Sequence, residues 1–114
     1  MGSSYPERMA NALDQPVTIG EIARTVAAAG TAVPLHIDRT PISGLHLMAK
    51  TITGANTGNV YIGLSTVDKA SRQIWKLEPD DAWEPLFARA IDLNDLWIDA
   101  DNAGDGVTGF YTPA

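Results

Sequence analysis

Apolar and polar residues alternate most cleanly over 45–53, with Leu45, Leu47 and Ala49 on one face and His46, Met48 and Lys50 on the other. Successive side chains of a strand point to opposite faces, so this period of two predicts a half-buried strand. Gly54, Asn56, Gly58 and Asn59 follow, residue types that accept positive φ at little cost, and they predict a turn over 54–59. Val60-Tyr61-Ile62-Gly63 is β-branched and aromatic, which predicts a second strand paired with the first as a hairpin. Residues 65–72 have the composition of a loop. A short strand is predicted over 73–77, a turn at Glu78-Pro79-Asp80-Asp81, and a strand over 83–91 that Pro85 confines to an edge or a bulge. Residues 96–100 and 107–111 predict strands on either side of a turn at 101–106. Turn signals at such regular intervals point to an all-β fold, an antiparallel β-sandwich or jelly-roll-like arrangement of about 7–8 short strands.

Two segments resist this scheme. Over 18–30, Thr18-Ile19-Gly20-Glu21 matches a capping box, and Ile19, Ile22, Ala23, Val26 and Ala27 follow helical spacing with Gly30 at the C-cap. The same residues place Ile22, Arg24 and Val26 on one face of a strand, with a second short strand over 32–37. Alanine content favours the helix, the flanking pattern favours strands, and the strand reading is adopted. Over 1–15, Tyr5, Met9 and Leu13 recur at helical spacing with Pro6 suited to a first turn. An isolated helix of that length is marginal, so an arm that orders on a partner and a docked helix stand equal. The expected organisation is an N-terminal arm, 1–15, and one β-sandwich domain, 16–114.

Composition narrows the function classes. The 114 residues contain no Cys, which removes disulfides, thiolate metal sites and cysteine nucleophiles together. The net charge of −6 argues against a nucleic-acid binder, and no apolar run approaches the ~20 residues of a membrane span. No secretory signal is visible at Met1-Gly2-Ser3-Ser4. The charge is split along the chain: residues 1–77 hold seven bases and five acids, whereas 78–114 hold nine acids and Arg89 alone. That split fits either an interaction surface of one sign or a set of aspartate-rich turns.

Candidate chemistry is sparse. Asp99-Ala100-Asp101-Asn102-Ala103-Gly104-Asp105 opens like a calcium loop, but Ala103 stands at the fifth position and Phe110 at the twelfth, so a hairpin turn is the better account. His36 and His46 show no converging ligand spacing. Gly63-Leu64-Ser65-Thr66-Val67 lacks the second glycine of a nucleophile elbow, and 54–58 lacks the Lys and Ser/Thr of a P-loop. The late carboxylates leave two-carboxylate glycoside chemistry as a weak third possibility. No catalytic residue, cofactor or metal is therefore assigned. The candidate residues are interfacial: Tyr5, Met9 and Leu13, with Arg8 beside them, on the arm, and Trp75 and Trp83 beside turns, where a tryptophan can anchor a subunit contact.

Four segments in order resemble small virion structural proteins of tailed bacteriophages. They are Ala27-Ala28-Ala29-Gly30-Thr31-Ala32-Val33-Pro34-Leu35, Asn56-Thr57-Gly58-Asn59-Val60-Tyr61-Ile62-Gly63, Leu77-Glu78-Pro79, and Ile91-Asp92-Leu93-Asn94-Asp95-Leu96-Trp97-Ile98-Asp99-Ala100. The resemblance spans roughly residues 22–111, leaves the arm outside and supports the strand reading of 18–30. Asp80 replaces the glycine usual after the proline, which puts the turn type there in question. The resemblance implies a non-enzymatic capsid decoration (cement) protein with a β-sandwich or jelly-roll-like fold. Its expected partners are the major capsid protein and copies of itself, a homotrimer first, with no direct contact to nucleic acid or membrane. It would be made in the bacterial host cytoplasm and sit on the outer surface of the capsid. The alternative within this class is a head-fibre or tail-associated adaptor with glycan-binding loops.

Overall fold

The computed structural model describes residues 18–114, in which every regular element but one is a strand. The strands are β1 (Gly20–Thr25), β2 (Val33–Pro34), β3 (Pro41–Met48), β4 (Lys50–Thr51), β5 (Gly54–Ala55), β6 (Val60–Gly63), β7 (Trp75–Leu77), β8 (Ala82–Trp83), β9 (Ile91–Asp92), β10 (Trp97–Ala100) and β11 (Gly106–Pro113). A single 3₁₀ turn spans Leu93–Asp95. All pairings are antiparallel. One sheet runs β1-β11-β3-β8 with β9 also on β3, a second runs β2-β10-β6-β7, and β4-β5 form a small ribbon. The sheet curls into a half-barrel. The strand number exceeds expectation because five strands, β2, β4, β5, β8 and β9, are only two residues long.

Both main sheets contribute to one apolar core. Ile22, Ile42, Leu45, Leu47 and Val107 come from the larger sheet, and Val60, Ile62, Leu77, Ile98 and Ala100 from the smaller. Ile22, Arg24 and Val26 share a face as the strand reading requires: Ile22 and Val26 are buried, and Arg24 at the sheet edge donates from Nε to the Pro34 carbonyl at 2.8 Å. The 45–49 alternation also holds. It is offset upstream because the β3–β11 register shifts between Thr112 and Pro113, which lets Ile42 and Leu45 both face inward at a spacing of three.

Three expected features are corrected. First, β3 and β6 do not form a hairpin; they lie in different sheets. All four residues of β6 are buried, so this segment takes a place between β10 and β7, and the chain after β3 closes on itself as the β4–β5 ribbon. Second, β10 and β11 are not a hairpin around 101–106, because that segment carries the chain from one sheet to the other. Third, 83–91 is not one strand. Only its ends pair, in β8 and β9, and the stretch between, which includes Pro85, makes no ladder bonds.

The 78–81 turn answers the question raised by Asp80. The Asp81 N–H donates to the Glu78 carbonyl at 2.9 Å, Pro79 takes the second position, and Asp80 takes the third with φ +67°. Positive φ at the third position is the signature of a type II turn, so Asp80 occupies the left-handed conformation that glycine would adopt. Asp80→Gly is expected to leave stability unchanged or raise it by up to about 1 kcal/mol, and Asp80→Val to lower it by about 1–2 kcal/mol. Urea midpoints for the two variants check this; equal midpoints would show that the backbone strain is absent.

Candidate functional site

The late acids acquire a role when the outer face of the smaller sheet is considered. Val60, Ile62, Ile98 and Ala100 face the core, so the paired Tyr61 and Asp99 point outward. Both are nonetheless buried, because irregular segments around 27–31 and 64–72 lie over this face. Backbone N–H groups in such segments have no ladder partners and need acceptors from elsewhere. Asp99, 0% exposed, supplies them. Its Oδ1 accepts from Gly30 N at 2.9 Å and Ala100 N at 2.8 Å, and its Oδ2 from Lys69 N at 2.7 Å.

The same device recurs along the crossover from β10 to β11. Asp105 accepts from Thr57 N at 2.9 Å, from Gly58 N at 2.8 Å and from the Thr57 hydroxyl. Asp101 accepts from Asn59 N at 3.3 Å and from the Tyr61 hydroxyl at 2.9 Å. Asn56 pairs with Gly106 as a strand would, donating to its carbonyl and accepting from its N–H. A Cβ at Gly58 would lie 2.7 Å from Asn102 Nδ2, so a larger residue there would displace the Asn102 side chain. Asp92 caps the 3₁₀ turn through Asn94 N and also accepts from Thr40 N at 2.8 Å. Asp81 accepts from Glu78 N.

Five of the nine late acids thus hold backbone together. The charge split of the sequence is largely architectural, but these are not solvated turns: Asp99 and Asp105 are buried, and Asp92, Asp99, Asp101 and Asp105 each bind backbone of a distant segment. Asp99, Asp101 and Asp105 aim at different donors and share no centre, and among the described residues no group of three or more His, Asp or Glu side chains is placed to hold a metal ion. Asp99 is fully enclosed, out of reach of any substrate. The two histidines lie in separate settings. His36 accepts from Asp38 N and sits edge-on to Tyr111, while His46 stacks on Phe110 and lies 3.8 Å from Glu84.

Two groups in this network are displaced from their ordinary protonation range. Burial, reinforced by the hydrogen bond to Asp101, pushes the Tyr61 phenol up. The Thr40 N–H, then the Asn94 N–H and the Arg39 guanidinium at 3.5 Å, hold Asp92 below the 3.8 of an unperturbed aspartate. A carboxylate lowered in the folded state stabilises it above the unfolded-state value, and that contribution disappears as pH falls through the folded-state value. In an acid titration followed by NMR, the Thr40 and Asn94 amides should therefore move together, with a midpoint below 3.8. Asp92→Asn should remove the transition, and a midpoint at or above 3.8 would refute the capping role.

With the acids assigned to architecture, the exposed apolar side chains stand out as the surface available for contacts. Trp75 on β7 and Trp83 on β8 are brought together from the two sheets: their rings stack at 6.5 Å and 26°. Trp83 packs against the core, while Trp75 is 51% exposed beside the exposed Ile74. Tyr5, Arg8, Met9 and Leu13 lie outside the described residues, as does the rest of the predicted arm.

Sequence reasoning missed a second apolar surface, on the outer face of the larger sheet. Phe110, which stacks on His46 at 5.3 Å and 15°, and Leu86, which is 98% exposed, border a groove of about 500 Å³ with Pro85, Phe87 and Gly44. A signal was present. Phe110 falls on the parity opposite to core-facing Val107, and Leu86-Phe87 follows a proline that bars ladder pairing.

No protein-family model, no curated protein and no solved structure matches this chain.

Proposed function

We propose that this chain is a structural protein of a bacteriophage virion, a capsid decoration protein that adds subunit contacts across the outer surface of the head. In this reading its fold is a β-sandwich of the kind such modules use, it has no catalytic role, and its partners are the major capsid protein and further copies of itself, a trimer first. The observation that carries the reading is where the phage-like segments fall. Val33–Pro34, Trp97–Ala100 and Val60–Gly63 lie within those segments and are β2, β10 and β6, three adjacent strands of the smaller sheet, and the fourth strand, β7, ends on Leu77, the first residue of the Leu77-Glu78-Pro79 segment. Asp99 further ties the first segment to the last through Gly30. Segments scattered over some 70 residues of chain thus build one continuous unit, which gives their joint occurrence a common structural reason.

Trp75 suits the proposed contact. A half-exposed tryptophan backed by a second one is rigid and loses little entropy when covered, and tryptophan is enriched among residues that dominate interfaces. The same flat face favours the adaptor alternative, because an exposed aromatic ring is also a stacking platform for a sugar. Imaging separates the two: many copies over the head support decoration, and copies confined to one vertex or the tail support the adaptor. Particles prepared with and without the protein should differ in survival after heating or osmotic shock. Equal survival would sink the cementing role.

A further inference from the structure

We propose that the groove on the outer face of the larger sheet is the docking site of the chain's own N-terminal segment, with Tyr5, Met9 and Leu13 seated against Phe110, Leu86 and Phe87 and Arg8 beside Glu84. The outer face of a sheet in a small domain ordinarily carries polar side chains, alternating with the apolar ones turned inward. Here Phe110 on that face and Pro85, Leu86 and Phe87 of the unpaired stretch after β8 border one hollow at Gly44, where the sheet carries no side chain; Phe87 also packs against the core. Exposed apolar side chains clustered at one hollow offer a surface that a short apolar segment can cover.

The position of the chain selects the occupant. Seventeen residues precede Thr18, and Gly20, the first residue of β1, pairs with Tyr111. The segment therefore joins the sheet at the end that carries Phe110 and Thr112, both of which line the groove. Neighbouring strands are ~4.8 Å apart, so β11 and β3 lie ~5–10 Å from that entry. Residues 14–17 extend far enough to cover this, at ~13 Å. The nine residues from Tyr5 to Leu13 would measure ~13 Å as a helix, with Tyr5, Met9 and Leu13 in one stripe and Arg8 on its flank. Arg8 is opposite in sign to Glu84 on the groove rim and to Glu21 beside Phe110, whereas Glu7 and Asp14 of the same segment have to face away from them. A tether this short gives an effective concentration in the millimolar range, which favours the chain's own segment over that of a second copy at micromolar protein.

The chain has no cysteine, so a pair can be introduced cleanly. In the full-length Met9→Cys, Leu86→Cys variant, mild oxidation should give a monomeric disulfide in about tenfold higher yield than in Met9→Cys, Leu64→Cys. Leu64 is also exposed, but it borders a hollow with Trp97 of the other sheet. Yields no higher than in that control overturn the proposal, as do disulfide-linked dimers in place of the monomer. A second readout needs no cysteine. Arg8 is the sole trypsin site in the first seventeen residues, and Leu86→Asp should speed cleavage there several-fold. An unchanged rate overturns the docking, and because Leu86 is 98% exposed the substitution leaves the core intact. Neither test depends on the virion reading.

Discussion

Asp99→Ala is expected to lower stability by about 3–5 kcal/mol, against a total of about 5–15 kcal/mol for a domain of this size. The side chain removed is small, and little cavity results. The cost arises because the carboxylate serves three backbone donors, Gly30, Lys69 and Ala100, drawn from three separate parts of the chain. Ala100 is buried, while Gly30 and Lys69 are residues at the surface, and an N–H left without an acceptor costs about 1–3 kcal/mol when buried, less where water can reach it. Asp99→Asn should recover part of the loss, because one amide oxygen still accepts while the NH₂ opposes a remaining donor. Asp95→Ala, a change at an exposed acid only four residues away, should stay within about 0.5 kcal/mol of the parent. Urea unfolding of the three variants decides the matter. An Asp99→Ala protein within about 1 kcal/mol of the parent would mean that water replaces the carboxylate and that the covering segments are not held by it.

That same residue marks where sequence reasoning stops. Alternation along 45–49 is a local property, and it placed Leu45, Leu47 and Ala49 inward as observed. The turn at 78–81 was equally legible, since Pro followed by a residue in positive φ is settled within four positions. Strand partners are not local. β6 pairs with β10 some forty residues away, and nothing in Val60-Tyr61-Ile62-Gly63 excluded the nearer β3 except that all four residues are buried, a fact of the folded chain. The aspartates mislead for a related reason. An Asp in a glycine-rich stretch looks like a turn residue serving its own backbone, yet Asp99 reaches Gly30 across 69 positions and Asp105 reaches Thr57 across 48. The candidate surface divides in the same way. Trp75 and Trp83 could be singled out by type and turn proximity, but their stacking, like the groove beside Phe110, exists only once two distant segments are adjacent.

Gly109→Ala should be as damaging as the loss of Asp99, for the opposite reason: an atom is added where there is no room. Gly109 sits in β11 between Ile22 of β1 and Leu47 of β3, at the centre of the larger sheet. A Cβ there would overlap the carbonyl oxygen of His46 and lie 2.9–3.0 Å from the His46 carbonyl carbon and Leu47 Cα. Those atoms are backbone, so relief requires β3 itself to move. β3 carries Leu45 and Leu47 into the core on one face and His46 against Phe110 on the other. Overpacking of this kind costs about 3 kcal/mol or more when no flexible side chain can yield. Gly44→Ala, on the neighbouring strand, is the matched comparison: its Cβ would meet only the Thr112 side chain, at 3.4 Å, an ordinary contact, and stability should change by less than about 1 kcal/mol. Hydrogen exchange locates the damage. In Gly109→Ala, protection should fall first for the amides shared by β11 and β3, and the His46–Phe110 stack should loosen with them. Equal unfolding midpoints for the two glycine variants would show that the sheet can widen at its centre, and would remove the steric reason for glycine at 109.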